Sequence, residues 1–378
     1  MNILVVAHYQ NDGSPTAIFI HDQILAYQKL GHSVRVVVPI AFGKLNLHGR
    51  RLETGVHQED IDGIPHYFIR YLSLSKYGET YFNSAAAIHV LRTGLKCILT
   101  GFVPDVIHAH TLGFDCDIGA WLKTQLHVPL VVTTHGSDTF IPFRNHQFSR
   151  LKKTADHADR IVAVSSLLKK RLIEVGVQTS ISVILNGFEL RYVNDNVRPP
   201  VSLIQVGSLI ERKKVDVTLH AFQHLQQKYP DATLQIVGSG PELSKLGKLC
   251  QTLNTRNSVH FLGQLSNKDV FTEMSKSRFF VMPSVREGFG IVYLEAMACG
   301  CITIGTDGEG IADLIVSGEN GFLVPPNDPD AIVQAVEWCL THPEETEAVV
   351  EQGRRDALGL TWEKNATQYM NLFRELIS

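Results

Sequence analysis

Two glutamates separated by seven residues carry the strongest chemical signal in this sequence. Glu287 is followed by Gly-Phe-Gly, and Glu295 lies eight positions after Glu287. A carboxylate makes charge-assisted hydrogen bonds to neighbouring hydroxyl groups, which is chemistry suited to a sugar. Either glutamate alone is typical of a helix cap or a solvated helix face. The two together, with the glycines between them, indicate a binding site.

The residues around the glutamates predict a strand, a turn and a helix. An apolar run ends at Ser284, and we expect a helix from about Gly290 to Ala298. Gly288 and Gly290 allow the backbone to approach a ligand closely. Free amides at the helix start, together with the helix dipole, favour a diphosphate. The segment therefore predicts a site for a ligand that carries both a sugar and phosphates.

Short apolar runs alternate with helical patterns along the whole chain. The predicted strands are residues 3–8, 34–39, 106–110, 130–135, 161–165 and 183–186 in the first half, and 202–209, 233–238, 259–263, 278–284, 301–305 and 321–324 in the second. This alternation is typical of βαβ units, so we predict an α/β protein with parallel, doubly wound sheets. Ligands bind such sheets at the carboxyl ends of the strands.

A polar stretch that ends in Arg198-Pro-Pro separates the two sets of strands and predicts a linker. We therefore expect two Rossmann-like domains facing across a cleft. The predicted limits are 1–190 for the first domain, 191–200 for the linker and 201–355 for the second domain. We expect a helix over about 356–378 to pack back on the first domain. Residues 42–62, which include Lys44, His48, Arg50 and Arg51, are predicted to be a surface loop.

The bulk composition excludes several classes of protein. With 378 residues, 44% hydrophobic and 19% charged, the chain is typical of a soluble two-domain protein. The net charge of -3 argues against a general nucleic-acid binder. Six scattered cysteines fit reduced thiols better than a disulfide framework. We find neither a signal peptide nor an apolar run of about 20 residues, so we expect a cytoplasmic protein.

The glutamate segment resembles the Glu-x7-Glu motif of family 4 glycosyltransferases, also called glycosyl transferases group 1. Further motifs follow in the order that this family shows: Gly31-His32, His108-Ala-His110, His135-Gly-Ser-Asp138, Val164-Ser165, Ile184-Leu-Asn-Gly187, Val206-Gly-Ser-Leu209 with Lys213, Val237-Gly-Ser-Gly-Pro241, Phe261-Leu-Gly263 and Gly308-Glu-Gly-Ile311. The resemblance implies the GT-B fold. It also implies a metal-independent hexosyl- or glycosyltransferase of the EC 2.4 class that retains the anomeric configuration.

The resemblance also implies roles for individual residues. Glu287, Lys213 and His135 would act in catalysis. The donor site would include Ser208, Arg212, Gly238, Gly240, Gly288, Phe289, Gly290, Ile291 and Glu295, with Glu287 at the sugar and Glu295 at the ribose. A loop with Gly13 and Ser14 would bind the acceptor or a phosphate. Without a metal, cations such as Lys213 would stabilise the leaving diphosphate.

One residue departs from the family pattern. Ser208 stands where the family commonly has an arginine, so a second cation is missing from its usual place. Arg212 or Lys214 could compensate, and both could equally be solvated loop charges. The two interpretations stay open.

The sequence has two acidic doublets, Asp60 with Asp62 and Asp115 with Asp117. They could suggest a metal site, but capping or turn roles are favoured. We expect no obligatory metal and no cofactor, with a UDP-sugar or a GDP-sugar as the donor substrate. No Gly-x-Gly-x-x-Gly follows the first strand, so a nicotinamide dehydrogenase is poorly supported. Two alternatives remain: a nucleotide-sugar 2-epimerase of the same fold, and a catalytically silent sugar-nucleotide-binding partner.

The acceptor is expected to be a carbohydrate or a lipid-linked carbohydrate, as in cell-surface polysaccharide or glycolipid biosynthesis. Two basic runs, Arg150-Leu-Lys-Lys153 and Lys169-Lys-Arg171, fit two interpretations, and Leu167 and Leu168 lie beside the second run. They could support peripheral contact with the inner face of the cell membrane. They could equally be an ordinary solvated helix face.

Overall fold

The computed structural model describes residues 1–8, 18–42, 54–73, 81–144, 148–190, 192 and 198–378. The chain divides into two compact units. The first contains Met1–Gly187 together with Trp362–Ser378, and the second contains Phe188–Thr361. The chain passes between them at Gly187, three residues before the predicted end of the first domain.

The first unit is an α/β structure. Its described strands are β1 (Asn2–Ala7), β2 (Ser33–Phe42), β3 (Gly55–Ile61), β4 (Ile64–Leu72), β5 (Val106–His110), β6 (Leu130–Thr134), β7 (Arg160–Ala163) and β8 (Ile181–Val183). Its described helices are α1 (Ile18–Lys29), α2 (Tyr81–Leu99), α3 (Phe114–Leu126), α4 (Ser137–Arg144), α5 (Phe148–Ala155), α6 (Ser166–Glu174) and α13 (Trp362–Ile377). The strand order is β3-β4-β2-β1-β5-β6-β7-β8. Its central strands are buried along their length, because helices pack on both faces of a parallel sheet.

The hairpin of β3 and β4 corrects one prediction. Residues 42–62 were predicted to be a loop, but Gly55–Ile61 is a strand that pairs antiparallel with β4. The strand has no apolar alternation because it lies at the sheet edge with its middle residues exposed. Its inner side packs tightly, since a Cβ added at Gly94 of α2 would lie 2.3 Å from Val56 Cγ2. Lys44, His48, Arg50 and Arg51 lie outside the described residues.

The second unit is also α/β. Its strands are β9 (Ser202–Val206), β10 (Thr233–Val237), β11 (Val259–Gly263), β12 (Phe279–Val281), β13 (Ile302–Thr306) and β14 (Phe322–Val324). Its helices are α7 (Val215–Lys228), α8 (Leu243–Thr252), α9 (Asn267–Lys276), α10 (Ile291–Ala298), α11 (Pro329–Thr341) and α12 (Pro343–Gly359), with 3-10 turns at Glu211–Lys213 and Gly310–Asp313. All strand pairs are parallel, in the order β11-β10-β9-β12-β13-β14. The order reverses between β9 and β12, and ligands bind doubly wound sheets at such a switch point.

The C-terminal helix belongs to the first unit. The prediction was a helix from about residue 356, but α12 runs to Gly359 and α13 begins at Trp362. Asn365 of α13 accepts a hydrogen bond from Gln23 Nε2 at 2.6 Å and donates one to the Leu185 carbonyl at 2.8 Å. The hydroxyl of Tyr369 lies 2.8 Å from Thr133 Oγ1. These buried polar contacts fix α13 against the first sheet.

Candidate active site

Three charged side chains meet at the carboxyl ends of β9 and β12. Lys213, in the 3-10 turn after β9, lies with Nζ 2.5 Å from Oε2 of Glu287, which follows β12. Arg212 Nη1 lies 3.2 Å from the same oxygen. The side chains of Lys213 and Glu287 are each 11% exposed, whereas Arg212 is 39% exposed. Two cations therefore converge on one buried carboxylate at the switch point of the sheet.

The two cations keep Glu287 ionised. Burial raises the pKa of its carboxyl group. The charges and hydrogen bonds of Lys213 and Arg212 lower that pKa by more, so the net pKa is below the usual range. In the described part of the chain, both ion pairs use Oε2.

Glycines allow the turns around this centre to approach each other. A Cβ added at Gly238 would lie 1.9 Å from the carbonyl oxygen of Gly207, and one at Gly240 would lie 2.4 Å from that of Leu209. Both predicted glycines therefore pack the turn after β10 against the turn after β9. Gly290 caps the start of α10 with a φ of 83°, a conformation that residues with a side chain rarely adopt.

The remaining predicted donor residues are close to the charged centre in sequence, and their side chains differ in exposure. Gly288 is buried and Ile291 is half-buried at the start of α10. Phe289 is 1% exposed, so only its backbone could reach a ligand. Ser208 is exposed, and Glu295 is half-buried in the second turn of α10.

The position of Arg212 bears on the arginine that is missing at Ser208. Of the two open interpretations for Arg212, the ion pair with Glu287 favours a place in the site over a solvated loop charge. Lys214 is half-buried, with a left-handed φ of 50°, and caps the start of α7.

Sequence reasoning missed Glu309. Its carboxylate accepts a hydrogen bond from the backbone amide of Glu287, with Oε2 2.8 Å from the nitrogen. From the sequence alone, Gly308-Glu-Gly-Ile311 stands out only by its position in the family order. A charged residue between two glycines was the available signal, but nothing in the sequence shows what it contacts.

A second cluster of polar side chains lies in the first unit, at the ends of β5 and β6. His135 Nε2 is 3.1 Å from His110 Nδ1, and the two rings are parallel within 4°. The ring of Phe19 packs on His135 with centroids 4.8 Å apart. Beneath them, His108 Nε2 is 2.8 Å from Thr133 Oγ1. His108, His110 and His135 form what we call the histidine cluster.

The histidine cluster is neutral at pH 7. Burial lowers the pKa of His135 to about 4 and that of His108 to about 3, and it lowers that of His110 well below its usual range. Among the described residues, His135 Nδ1 and His110 Nε2 have no hydrogen-bond partner. Because each neutral ring carries one proton, the shared hydrogen bond couples the tautomers of the two rings.

Asp138 organises the turn that carries His135. Its carboxylate accepts hydrogen bonds from the amides of His135 at 3.2 Å, Gly136 at 3.0 Å and Leu112 at 2.8 Å. Thr134 Oγ1 donates a further hydrogen bond at 2.9 Å. This explains the spacing in His135-Gly-Ser-Asp138, since the aspartate caps the turn in front of α4.

The acidic doublets accept hydrogen bonds, from nearby residues at Asp60 and Asp115 and from a separate helix at Asp117. Asp60 accepts from the amide of Gly63 at 2.9 Å, Asp115 from Thr111 Oγ1 at 3.0 Å and Asp117 from Ser84 Oγ at 2.8 Å. The described residues contain no group of three or more His, Cys, Asp or Glu side chains that could hold a metal ion. Gly13 and Ser14 lie outside the described residues.

The basic runs lie on α5 and α6. Lys152 pairs with Asp156 at 2.9 Å, and Arg171 pairs with Glu174 at 3.0 Å, so part of their charge is balanced within each helix. Leu168 is fully buried in the core. Within the part of the chain that the structure describes, no helix has the length and apolar character needed to cross a bilayer.

Comparison with known families decides the identity of the chain. Residues 16–192 match the model of Glycosyltransferase Family 4, and residues 190–356 match that of Glycosyl transferases group 1. The chain belongs to the family 4 glycosyltransferases, also called glycosyl transferases group 1. An uncharacterized glycosyltransferase of Methanocaldococcus jannaschii is 28% identical over 72% of this chain and 76% of its own length. The N-acetyl-alpha-D-glucosaminyl L-malate synthase of Bacillus anthracis is 27% identical over 72% of this chain and 75% of its own.

Solved structures show the same fold. Sucrose-phosphate synthase from Thermosynechococcus elongatus aligns with a TM-score of 0.81 and 20% identity, over 100% of this glycosyltransferase and 99% of that chain. Anabaena HepE in complex with UDP-glucose aligns with a TM-score of 0.74 and 20% identity, over 100% of both chains. The fold is therefore GT-B, as predicted.

Proposed function

We propose that this glycosyltransferase is a metal-independent, retaining enzyme that moves a sugar from a nucleoside-diphosphate donor to an acceptor hydroxyl. The observation that carries the proposal is the pairing of Lys213 and Arg212 with Glu287 at the switch point of the second sheet. An anionic diphosphate needs cations, and a sugar needs hydrogen-bond acceptors. This centre offers both in one place.

The proposed roles follow from the charges. Glu287 accepts hydrogen bonds from hydroxyls of the donor sugar, and Glu295 accepts from the ribose. Lys213 and Arg212 stabilise the negative charge that grows on the leaving diphosphate, which takes up the proton of the acceptor hydroxyl on the same face. Such fixed cations act where charge develops in the transition state. His135, neutral at pH 7, would bind a sugar hydroxyl.

The donor class is proposed from two relatives. A mannosyltransferase of Mycolicibacterium smegmatis, 27% identical over 61% of this chain and 65% of its own, is named as GDP-mannose-dependent. HepE has been solved with UDP-glucose. We therefore propose a GDP-sugar or a UDP-sugar as the donor. A polysaccharide or glycolipid acceptor at the cytoplasmic face of the membrane is part of the same proposal.

A donor screen tests this function. Bound ligand raises apparent stability, by about 2.7 kcal/mol at a ligand concentration of 100 Kd. We expect one of UDP-glucose, UDP-N-acetylglucosamine, GDP-mannose and ADP-glucose to raise the Tm of the wild type and to be hydrolysed slowly. Both effects should persist in EDTA, and proton NMR should show that the released sugar starts as the anomer present in the donor. No Tm shift with any donor would overturn the proposal.

Membrane contact has its own test. The basic residues of α5 and α6 should increase sedimentation with vesicles of phosphatidylglycerol over vesicles of phosphatidylcholine. Charge reversal at Lys169 and Lys170 should remove the difference. Equal sedimentation of the wild type with both vesicles would count against a membrane role.

A further inference from the structure

The turn that carries Glu287 is in a strained conformation. Arg286, immediately before Glu287, has a φ of 58° although it is not a glycine. Such left-handed residues cost on the order of 1 kcal/mol or more, and they persist only where surrounding contacts hold them. The contacts that hold this turn therefore determine where the Glu287 carboxylate lies.

Contacts on two sides fix this turn. On one side, the amide of Val285 donates to the Arg212 carbonyl at 2.8 Å. On the other side, Glu309 and Gly310 bind the backbone of Glu287 at both its polar groups. The Glu287 amide donates to Glu309 Oε2 at 2.8 Å, and the Glu287 carbonyl accepts from the Gly310 amide at 3.2 Å. The backbone of Glu287 is therefore held on the side of residues 309–310.

Residues 309–310 lie very close to the Glu287 turn. A Cβ added at Gly310 would lie 2.0 Å from the carbonyl oxygen of Gly288, so no other residue fits there. Gly310 brings the 3-10 turn Gly310–Asp313 against the Glu287 turn, and Glu309 then reaches the Glu287 amide from the position before it. The contact joins the loop after β13 to the loop after β12 at their carboxyl ends.

A carboxylate is an unusual choice beside a site for an anionic diphosphate, because its charge opposes that of the ligand. A gain elsewhere must offset this cost. A hydrogen bond from an amide to an ionised carboxylate is stronger than one to a neutral acceptor. We propose that Glu309 is a positioning residue that holds the Glu287 turn in the conformation in which the Glu287 carboxylate meets Lys213 and the donor sugar. The inference rests on the proposed function for its effect on the donor.

Three substitutions separate positioning from charge. Glu309→Ala removes the acceptor. Glu309→Gln keeps an oxygen acceptor at nearly the same place without the charge, and Glu309→Asp keeps the charge but withdraws it by one methylene group. We expect Ala to raise the KM for the donor ten- to hundredfold, the range of one charge-assisted hydrogen bond. Gln should restore part of the loss, because a neutral oxygen accepts a weaker hydrogen bond than a carboxylate, and Asp should fall between Ala and Gln. Glu319→Ala, at an exposed position in the same unit, is the control.

Hydrogen exchange gives a measurement that does not depend on activity. In the unliganded protein, exchange of the peptide over residues 285–290 should become faster in Glu309→Ala and return towards the wild-type rate in Glu309→Gln. The kinetic arm uses UDP-glucose or GDP-mannose, whichever the wild type hydrolyses. If Glu309→Ala is too unstable to purify, Glu309→Asp replaces it in both measurements.

The outcomes are distinct. Faster exchange and a higher KM in the Ala variant, with rescue by Gln, would support the inference. Unchanged exchange at 285–290, or a Gln variant as impaired as the Ala variant, would overturn it. If the wild type hydrolyses neither donor, the proposed function fails for these donors, and the exchange measurement alone then decides whether Glu309 holds the turn.

Discussion

The two polar centres of this glycosyltransferase differ in the charge state of their buried side chains. Both lie at the carboxyl ends of parallel strands, and both contain buried ionisable side chains. In the second unit, Glu287 keeps its charge because Lys213 and Arg212 compensate for lost hydration. In the first unit, no carboxylate among the described residues pairs with the His135 ring, so burial lowers its pKa to about 4 and the ring is neutral. Burial disfavours the charged form of a side chain at both sites, and a nearby charge of opposite sign offsets that effect.

The largest expected effect breaks the charged centre. Lys213→Met should lower kcat by about 10²- to 10³-fold, the cost of removing one fixed electrostatic contact to a transition state. It should also raise the pKa of Glu287, because the nearest cation is gone while burial remains. Steady-state kinetics with the identified donor would measure the first effect.

The matched control for this substitution is Lys228→Met. Lys228 is an exposed lysine of the same unit, and its ion pair with Glu337 at 2.6 Å lies on the surface. It should change kcat by less than about twofold, since exposed pairs contribute little. Equal losses in the two variants would show that the lysine charge acts at long range rather than through Glu287.

The second effect sharpens the contrast through pH. The folded-state pKa of His135 is about 4, below its ordinary value of 6.5, so the unfolded chain binds a proton that the folded chain refuses. Stability is therefore full above pH 6.5 and is lost as the pH falls towards 4, by roughly 2 kcal/mol at pH 5 for this histidine. Glu287 loses its contribution only at more acidic pH, because its folded pKa is below its ordinary value of 4.5.

Hydrogen exchange of single strands measures this difference unit by unit. Protection of β5 and β6 should fall between pH 7 and pH 5, after correction for the intrinsic rate. Protection of β9 and β12 should stay nearly constant over that range. An equal fall in both units would contradict the assignment of the acid sensitivity to the histidine cluster.

A smaller effect separates the two nitrogens of His135. Glutamine reaches about the position of Nε2, so His135→Gln keeps a contact with His110 Nδ1 but has no group at Nδ1. We expect about a tenfold loss in kcat/KM for the donor, the range of one neutral hydrogen bond. His135→Asn, whose amide lies nearer to Nδ1, should retain more activity. Equal activity of the Gln variant and the wild type would remove Nδ1 from the proposed site.

The smallest effect concerns the second cation. Arg212 is 39% exposed and lies 3.2 Å from Glu287, so Arg212→Met should lower kcat/KM by only about two- to fivefold. A loss as large as that of Lys213→Met would show that Arg212 fully replaces the arginine missing at Ser208.

The fold was largely predictable because most strands are buried on both faces. The run predicted at residues 130–135 is rich in β-branched residues, and it forms the fully buried strand Leu130–Thr134. The edge strand β3 was not predictable in this way, since its polar residues follow from exposure at the sheet edge. The start of α13 was also misplaced, because α12 continues to Gly359 and its separation from α13 depends on tertiary contacts.

The site was predictable only where spacing along the chain matters. The Glu287 turn and the start of α10 follow from local sequence, and so does the cap that Asp138 provides for the His135 turn. The contacts of Arg212 with Glu287 and of Glu309 with the Glu287 amide join residues 75 and 22 positions apart. Such contacts depend on how the turns after neighbouring strands meet in space.

The return of α13 makes the order of assembly differ from the order of synthesis. Residues 188–361 interrupt the first unit along the chain, so the second unit is an insertion in the first. During synthesis on the ribosome, the contact of Gln23 with Asn365 can form only after the whole second unit has emerged. The same holds for the contact of Thr133 with Tyr369. The second unit, which is continuous in sequence, can fold during that interval. The half of the enzyme that is made first is therefore the half that is completed last.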